Sequence, residues 1–179
     1  MSNNTGSNNI AIGYSANIGE GVSNAIAIGQ GSTNSTSNTI VLGNTSITKV
    51  STSGAIVTTN GITAKHIKGN SGALSIAAST GAGTSPSAVS VTGTDVSGVV
   101  ALTTGTSPTV NAVLATITYN TAFSTAPVVV ITPANAATAS LAAAQAVWVN
   151  ITTTGFSINT NATAVVSSTG YKWNYVVIQ

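Results

Sequence analysis

Three stretches set the reading of this chain: Ser7-Asn8-Asn9-Ile10-Ala11-Ile12-Gly13, Ser23-Asn24-Ala25-Ile26-Ala27-Ile28-Gly29 and Ser37-Asn38-Thr39-Ile40-Val41-Leu42-Gly43. Aligned on the closing glycine they repeat after 16 and then 14 residues. In each copy two large aliphatics flank a smaller residue, and a strand sends alternate side chains to opposite faces. Ile10 and Ile12, Ile26 and Ile28, and Ile40 and Leu42 therefore share one face of successive short strands. A strand this short cannot stand alone, whereas copies stacked at one per turn build a continuous apolar column, the logic of a β-solenoid. These six residues are the expected repeat core. The glycine supplies the turn, since it takes positive φ at little steric cost. The recurring Asn either bonds its own backbone at the corner or forms a ladder with its counterparts.

Composition narrows the function. Ionisable residues make up 3 % of the 179-residue chain, as four Lys, one Asp and one Glu; an ordinary soluble domain has about 25 %. Acid/base enzymes and nucleic-acid binders draw on carboxylates or on Lys and Arg clusters, so neither class is expected. Ser, Thr and Asn together account for about 40 % of the residues. With 42 % apolar residues the chain is too hydrophobic for disorder. Its Val, Ile and Thr are β-branched, which favours pleated sheet. Cysteine is absent, so disulfides and thiolate sites are excluded. The start MSNNTGSNN lacks the positive and apolar regions of a secretory signal, and no apolar run approaches the roughly 20 residues of a membrane-spanning helix. Folding in a cytosol without membrane insertion is the expectation.

The repeats resemble the head repeats of trimeric autotransporter adhesins, a resemblance confined to residues 7 to 43. It implies a left-handed parallel β-roll in which three chains share an axis. GNTSITKVSTSGAI, in the following segment, resembles the stretch after similar repeats in phage and large-virus fibre proteins. Between residues 44 and 70 apolar and polar residues alternate through Ile47, Val50, Ala55, Val57, Ile62 and Ile67, too little for one chain to bury but enough for three wound together. We expect residues 1–43 to form the β-roll, 44–77 an intertwined β neck, and 78–88 a Gly- and Ser-rich linker.

From residue 89 onward short strands recur: SVTGTDVSGVVALTT, VLATITY, PVVVITP, AVWVNITT, GFSINT and YKWNYVVIQ. This pattern predicts an antiparallel β-sandwich over 89–179. Ala134 to Ala146 reads as an irregular connection, because Thr138 and Ser140 interrupt its alanines. The order of elements resembles the terminal domain of phage tail fibres and, more loosely, the trimeric H-type lectins. The sugar sites of those lectins use charged side chains that this chain lacks, so their ligand residues do not transfer.

Few residues invite chemistry. In the last strand Tyr171, Trp173 and Tyr175 share a face opposite Val176 and Ile178. Amphipathic rings of this kind stack on carbohydrate and also fill cores and subunit contacts; with Trp148 they are the candidate ligand-binding residues. His66 is the single histidine. Three copies around a threefold axis would make a metal ring, against which Lys65 and Lys68 argue by repulsion, so no metal or other cofactor is expected. Glu20 and Asp95 lie in different predicted modules, which leaves no paired-carboxylate site.

The resulting expectation is an all-β homotrimer, a parallel β-roll with an intertwined neck and a sandwich tip. It is not an enzyme but a virion fibre or spike, made in the host cytoplasm, on the tail or the head of a bacteriophage. Its expected partners are itself, other virion proteins and a host-surface glycan, with no nucleic acid. The alternative is a purely structural decorating fibre.

Overall fold

The computed structural model describes residues 5–54, 56–69 and 72–179. The chain is all-β, with 37 % strand and 6 % helix, and divides into two compact units, Met1–Thr63 and Ala64–Gln179.

In the first unit β1 (Ile10–Ile12), β3 (Ile26–Ile28) and β5 (Ile40–Leu42) stack in parallel, with Ile10, Ile26 and Ile40 in one register row and Ile12, Ile28 and Leu42 in another. A second parallel pair, β2 (Asn17–Ile18) and β4 (Thr33–Asn34), forms between them in sequence. The corners explain the repeating asparagine. Asn8, Asn24 and Asn38 all adopt left-handed φ of 59°, 54° and 61°, which Asn tolerates better than most residues. Their amides form a ladder: Asn8 Nδ2 donates to Asn24 Oδ1, and Asn24 Nδ2 to Asn38 Oδ1, each at 3.1 Å. Beside them the backbone N–H groups of Ser7 and Ser23 donate to the hydroxyls of Ser23 and Ser37. Gly13 closes the first repeat at φ 129°, where a Cβ would come within 2.7 Å of the Gly29 carbonyl. Only glycine fits that stack.

The expected repeat core is corrected in one respect. Ile10, Ile12, Ile28, Ile40 and Leu42 are 37 to 62 % exposed, and Ile26 is half-buried. The interior of the single-chain coil holds Ala16, Ile18, Val22, Ala25 and Ala27 instead. In each triplet the small middle residue is the more buried and the large flanking pair the more exposed. Asn34 occupies in β4 the register position that Ile18 has in β2, and it is buried. It donates to the carbonyls of Ile26 and Thr39 and accepts from the Thr36 N–H and the Thr39 hydroxyl. This satisfies its amide, as burial requires.

Beyond Leu42 the described residues contain no strand until Ser75. Ile47, Val50, Ile56, Val57, Ile62 and Ile67 are exposed; of the expected neck, residues 55, 70 and 71 lie outside the described residues.

The second unit holds two four-stranded antiparallel sheets in a sandwich-like arrangement. One has β10 (Val128–Pro133), β13 (Gly170–Ile178), β8 (Ser97–Thr103) and β7 (Ser87–Gly93) in that order; the other has β11 (Trp148–Ile151), β12 (Gly155–Asn159), β9 (Val113–Thr118) and β6 (Ser75–Ala78). The expected neck end and linker are therefore corrected: β6 pairs along β9, and the 3-10 turn Thr80–Ala82 is packed into the core at Ala82. Gly81 permits this, since a Cβ there would meet the Val113 carbonyl carbon at 2.7 Å. The connection after β10 also differs, forming a short helix α1 (Ala136–Ala139). Asn135 caps it, its Oδ1 accepting from the N–H and hydroxyl of Thr138.

Candidate functional site

β13 places the aromatic residues singled out from the sequence, and its alternation is as expected: Tyr171, Trp173, Tyr175 and Val177 face in, Lys172, Asn174, Val176 and Ile178 face out. The inward face is the core. Tyr171, Trp173 and Tyr175 are each 1 % exposed, so of the two roles that their chemistry allowed, core and ligand contact, the rings take the first. Tyr171 stacks on Trp173 with centroids 5.8 Å apart, and Phe156 bridges Tyr175 at 5.6 Å and Tyr119 at 6.1 Å. The Tyr171 hydroxyl accepts from the Val166 N–H. The rings share the sandwich interior with Leu102, Leu114, Ile117 and Ile158, all likewise buried. Trp148, on the edge strand β11, is 53 % exposed and stands as the one ligand candidate on the surface.

Trp173 nevertheless reaches a pocket. A cavity of about 240 Å³ opens between β10, β13 and the capping segment around α1, lined by Ile131, Pro133, Thr138, Leu141, Val147 and Trp173 among others. Its polar side chain is already engaged: the Thr138 hydroxyl donates to Asn135 and accepts from the Lys172 N–H. With apolar walls and no charged lining residue, the cavity suits an uncharged apolar group and has nothing with which to orient an ionic one. No local sequence pattern announces it, because its walls come from four separate segments.

The outer face of the same sheet carries an apolar patch that sequence reasoning half found. Val128 pairs with Ile178 and Val130 with Val176 across β10 and β13, and all four are exposed.

Asp95 is buried in the turn between β7 and β8 and accepts from the backbone N–H groups of Asn120 and Thr121 at 2.8 and 3.0 Å. Nearby, Tyr175 donates to the Thr94 carbonyl, while the buried Tyr119 hydroxyl has no partner among the described residues. Burial foremost, with the Asp95 charge adding to it, pushes both phenols up to about 12. This carboxylate is a structural pin for the 119–121 turn. His66 is exposed, and among the described residues no three His, Cys, Asp or Glu side chains group as metal ligands. Among the same residues no helix is long and apolar enough to cross a membrane.

No family model, no curated protein and no solved structure matches this chain.

Proposed function

We propose that the chain is a homotrimeric virion fibre, of a bacteriophage by its resemblances, whose sandwich tip attaches to the host surface. The observation that carries the trimer is the pair of in-register rows, Ile10/Ile26/Ile40 and Ile12/Ile28/Leu42, facing out of the coil. Each exposed member retains about half its surface, and covering the remainder is worth roughly 1 kcal/mol per side chain. A threefold axis along these rows would supply the cover. The exposed aliphatics Ile47, Val50, Ile56, Val57, Ile62 and Ile67 support the same reading, because this stretch, which forms no strand among the described residues, would gain strand partners and a core from two siblings. Scarcity of charge fits a particle exposed to open water, since few contacts depend on ionisation or are screened by salt.

Attachment would work by multiplicity: several fibres with three weak sites each gain avidity through effective concentration. An uncharged glycan suits both the lectin resemblance and the surface, with Trp148 as the exposed ring against which a sugar can stack. Light scattering on the purified chain tests the assembly. The expected mass is three times 17.5 kDa, and Ile12→Asp with Ile28→Asp should dissociate it. A cooperatively melting species of 17.5 kDa would refute the trimer. Host-cell binding by the trimer, abolished in Trp148→Ala, tests attachment.

The second reading, a decorating fibre that meets no receptor, is favoured by one observation: Tyr171, Trp173 and Tyr175 are sealed in the core, leaving a single exposed tryptophan. Absence of cell binding by intact trimers would decide for it.

A further inference from the structure

The sequence contains one Asn-Gly pair, Asn60-Gly61. Both residues are exposed and outside any strand or helix. Gly61 has φ +86°, and a Cβ built on it would meet nothing within 4 Å, so the approach to its backbone nitrogen is open. Among the described residues Asn60 makes no hydrogen bond. The contrast with other asparagines is sharp. Asn8, Asn24 and Asn38 hold their amides in the ladder, and Asn34 is buried with its amide satisfied.

We infer that Asn60 is a site of spontaneous covalent modification. The Gly61 nitrogen, on losing its proton, attacks Asn60 Cγ. An N–Cγ bond forms, the Cγ–Nδ2 bond breaks, and ammonia leaves carrying the proton. The resulting five-membered imide is opened by one water at either carbonyl, giving aspartate or isoaspartate at position 60. No oxidant, reductant or catalyst takes part. Glycine is what makes the step accessible, because a side chain at position 61 would shield the nucleophile and resist the φ seen here.

The product changes this chain more than it would most. Net charge falls from +2 to +1, and the only carboxylate between Lys49 and Lys68 appears in a stretch that holds three of the four lysines. An isoaspartyl link also adds a backbone carbon, which shifts the two-residue alternation between Val57 and Ile62 and so the register of any strand pairing through it. On the trimer reading, pairing in the neck would occupy the Gly61 N–H and slow the reaction, so the site would record whether a chain has assembled.

Full-length protein incubated in mildly alkaline and mildly acidic buffer, digested and analysed by tandem mass spectrometry, tests this. The expected result is a gain of one dalton confined to the peptide containing Asn60, faster in alkali, resolving into Asp and isoAsp forms. Gly61→Ala should slow it by about tenfold, the factor that a barrier higher by about 1.4 kcal/mol produces. No gain at Asn60, an equal gain at the ladder asparagines, or an unchanged rate in Gly61→Ala would overturn the inference. Equal rates in assembled and urea-dissociated protein would support the site and count against neck pairing at Gly61, which separates the two proposals.

Discussion

Replacing Asn24 tests the account of the repeat corner, because two separable effects meet at that residue. Its amide sits mid-ladder, accepting from Asn8 and donating to Asn38 at 3.1 Å each, and its backbone is left-handed at φ 54°. Both bonds are solvent-exposed, so each contributes toward the low end of the usual range, about 0.5 kcal/mol. Asn24→Gly removes the bonds and keeps the backbone accessible, for a loss of about 1 kcal/mol. Asn24→Ala removes the same bonds and adds the left-handed penalty of roughly 1–2 kcal/mol, for a total of about 2–3. Hydrogen exchange reads this locally: protection of the Ala25 and Ala27 amides, both in the coil interior, should fall about fivefold in the glycine variant and about thirtyfold or more in the alanine variant. If alanine proves no worse than glycine, the left-handed corner is not what selects asparagine.

Other expectations concern the sandwich. Trp173→Ala should cost about 3–5 kcal/mol in urea melts because the indole is buried, whereas Trp148→Ala should cost under about 1 because half of it is already in water. Tyr119→Phe deletes a buried hydroxyl without a partner among the described residues and should stabilise the protein by about 1 kcal/mol. Burial first, and the Asp95 charge after it, push the Tyr119 and Tyr175 phenols up to about 12 from the ordinary 10.0. Folding therefore disfavours their ionised forms, so stability is at its full value below pH 10 and falls as pH rises toward 12. Thermal melts across that window should show the loss, and Asp95→Asn should lower the pH at which phenolate absorbance appears.

Much of the site was unreadable because it is assembled across the chain. The 240 Å³ cavity takes walls from β10, the α1 segment, β13 and the residues just before β11, and no local pattern announces that these meet. β6 escaped notice because Ser75-Ile-Ala-Ala is short and small, and it becomes a strand only by pairing with β9. Helix α1 had a legible signal in Asn135, a good cap placed before four residues with alanine at both ends, which the interrupting Thr138 obscured; that threonine in fact bonds the cap.

Alternation along the chain was enough to determine which residues share a face: the aliphatic rows of the repeats and the aromatic row of β13 both follow from a period of two. It could not determine which face is inside. That was decided by what the folded chain packs against each face: the sandwich core, which the Tyr171, Trp173 and Tyr175 rings join, and in the coil Ile18 and Val22, with which Ala25 and Ala27 cluster while most of the flanking aliphatics stay exposed. A side chain's partners on its own strand are fixed by covalent geometry, while its depth depends on the distance to a layer that only the folded chain supplies.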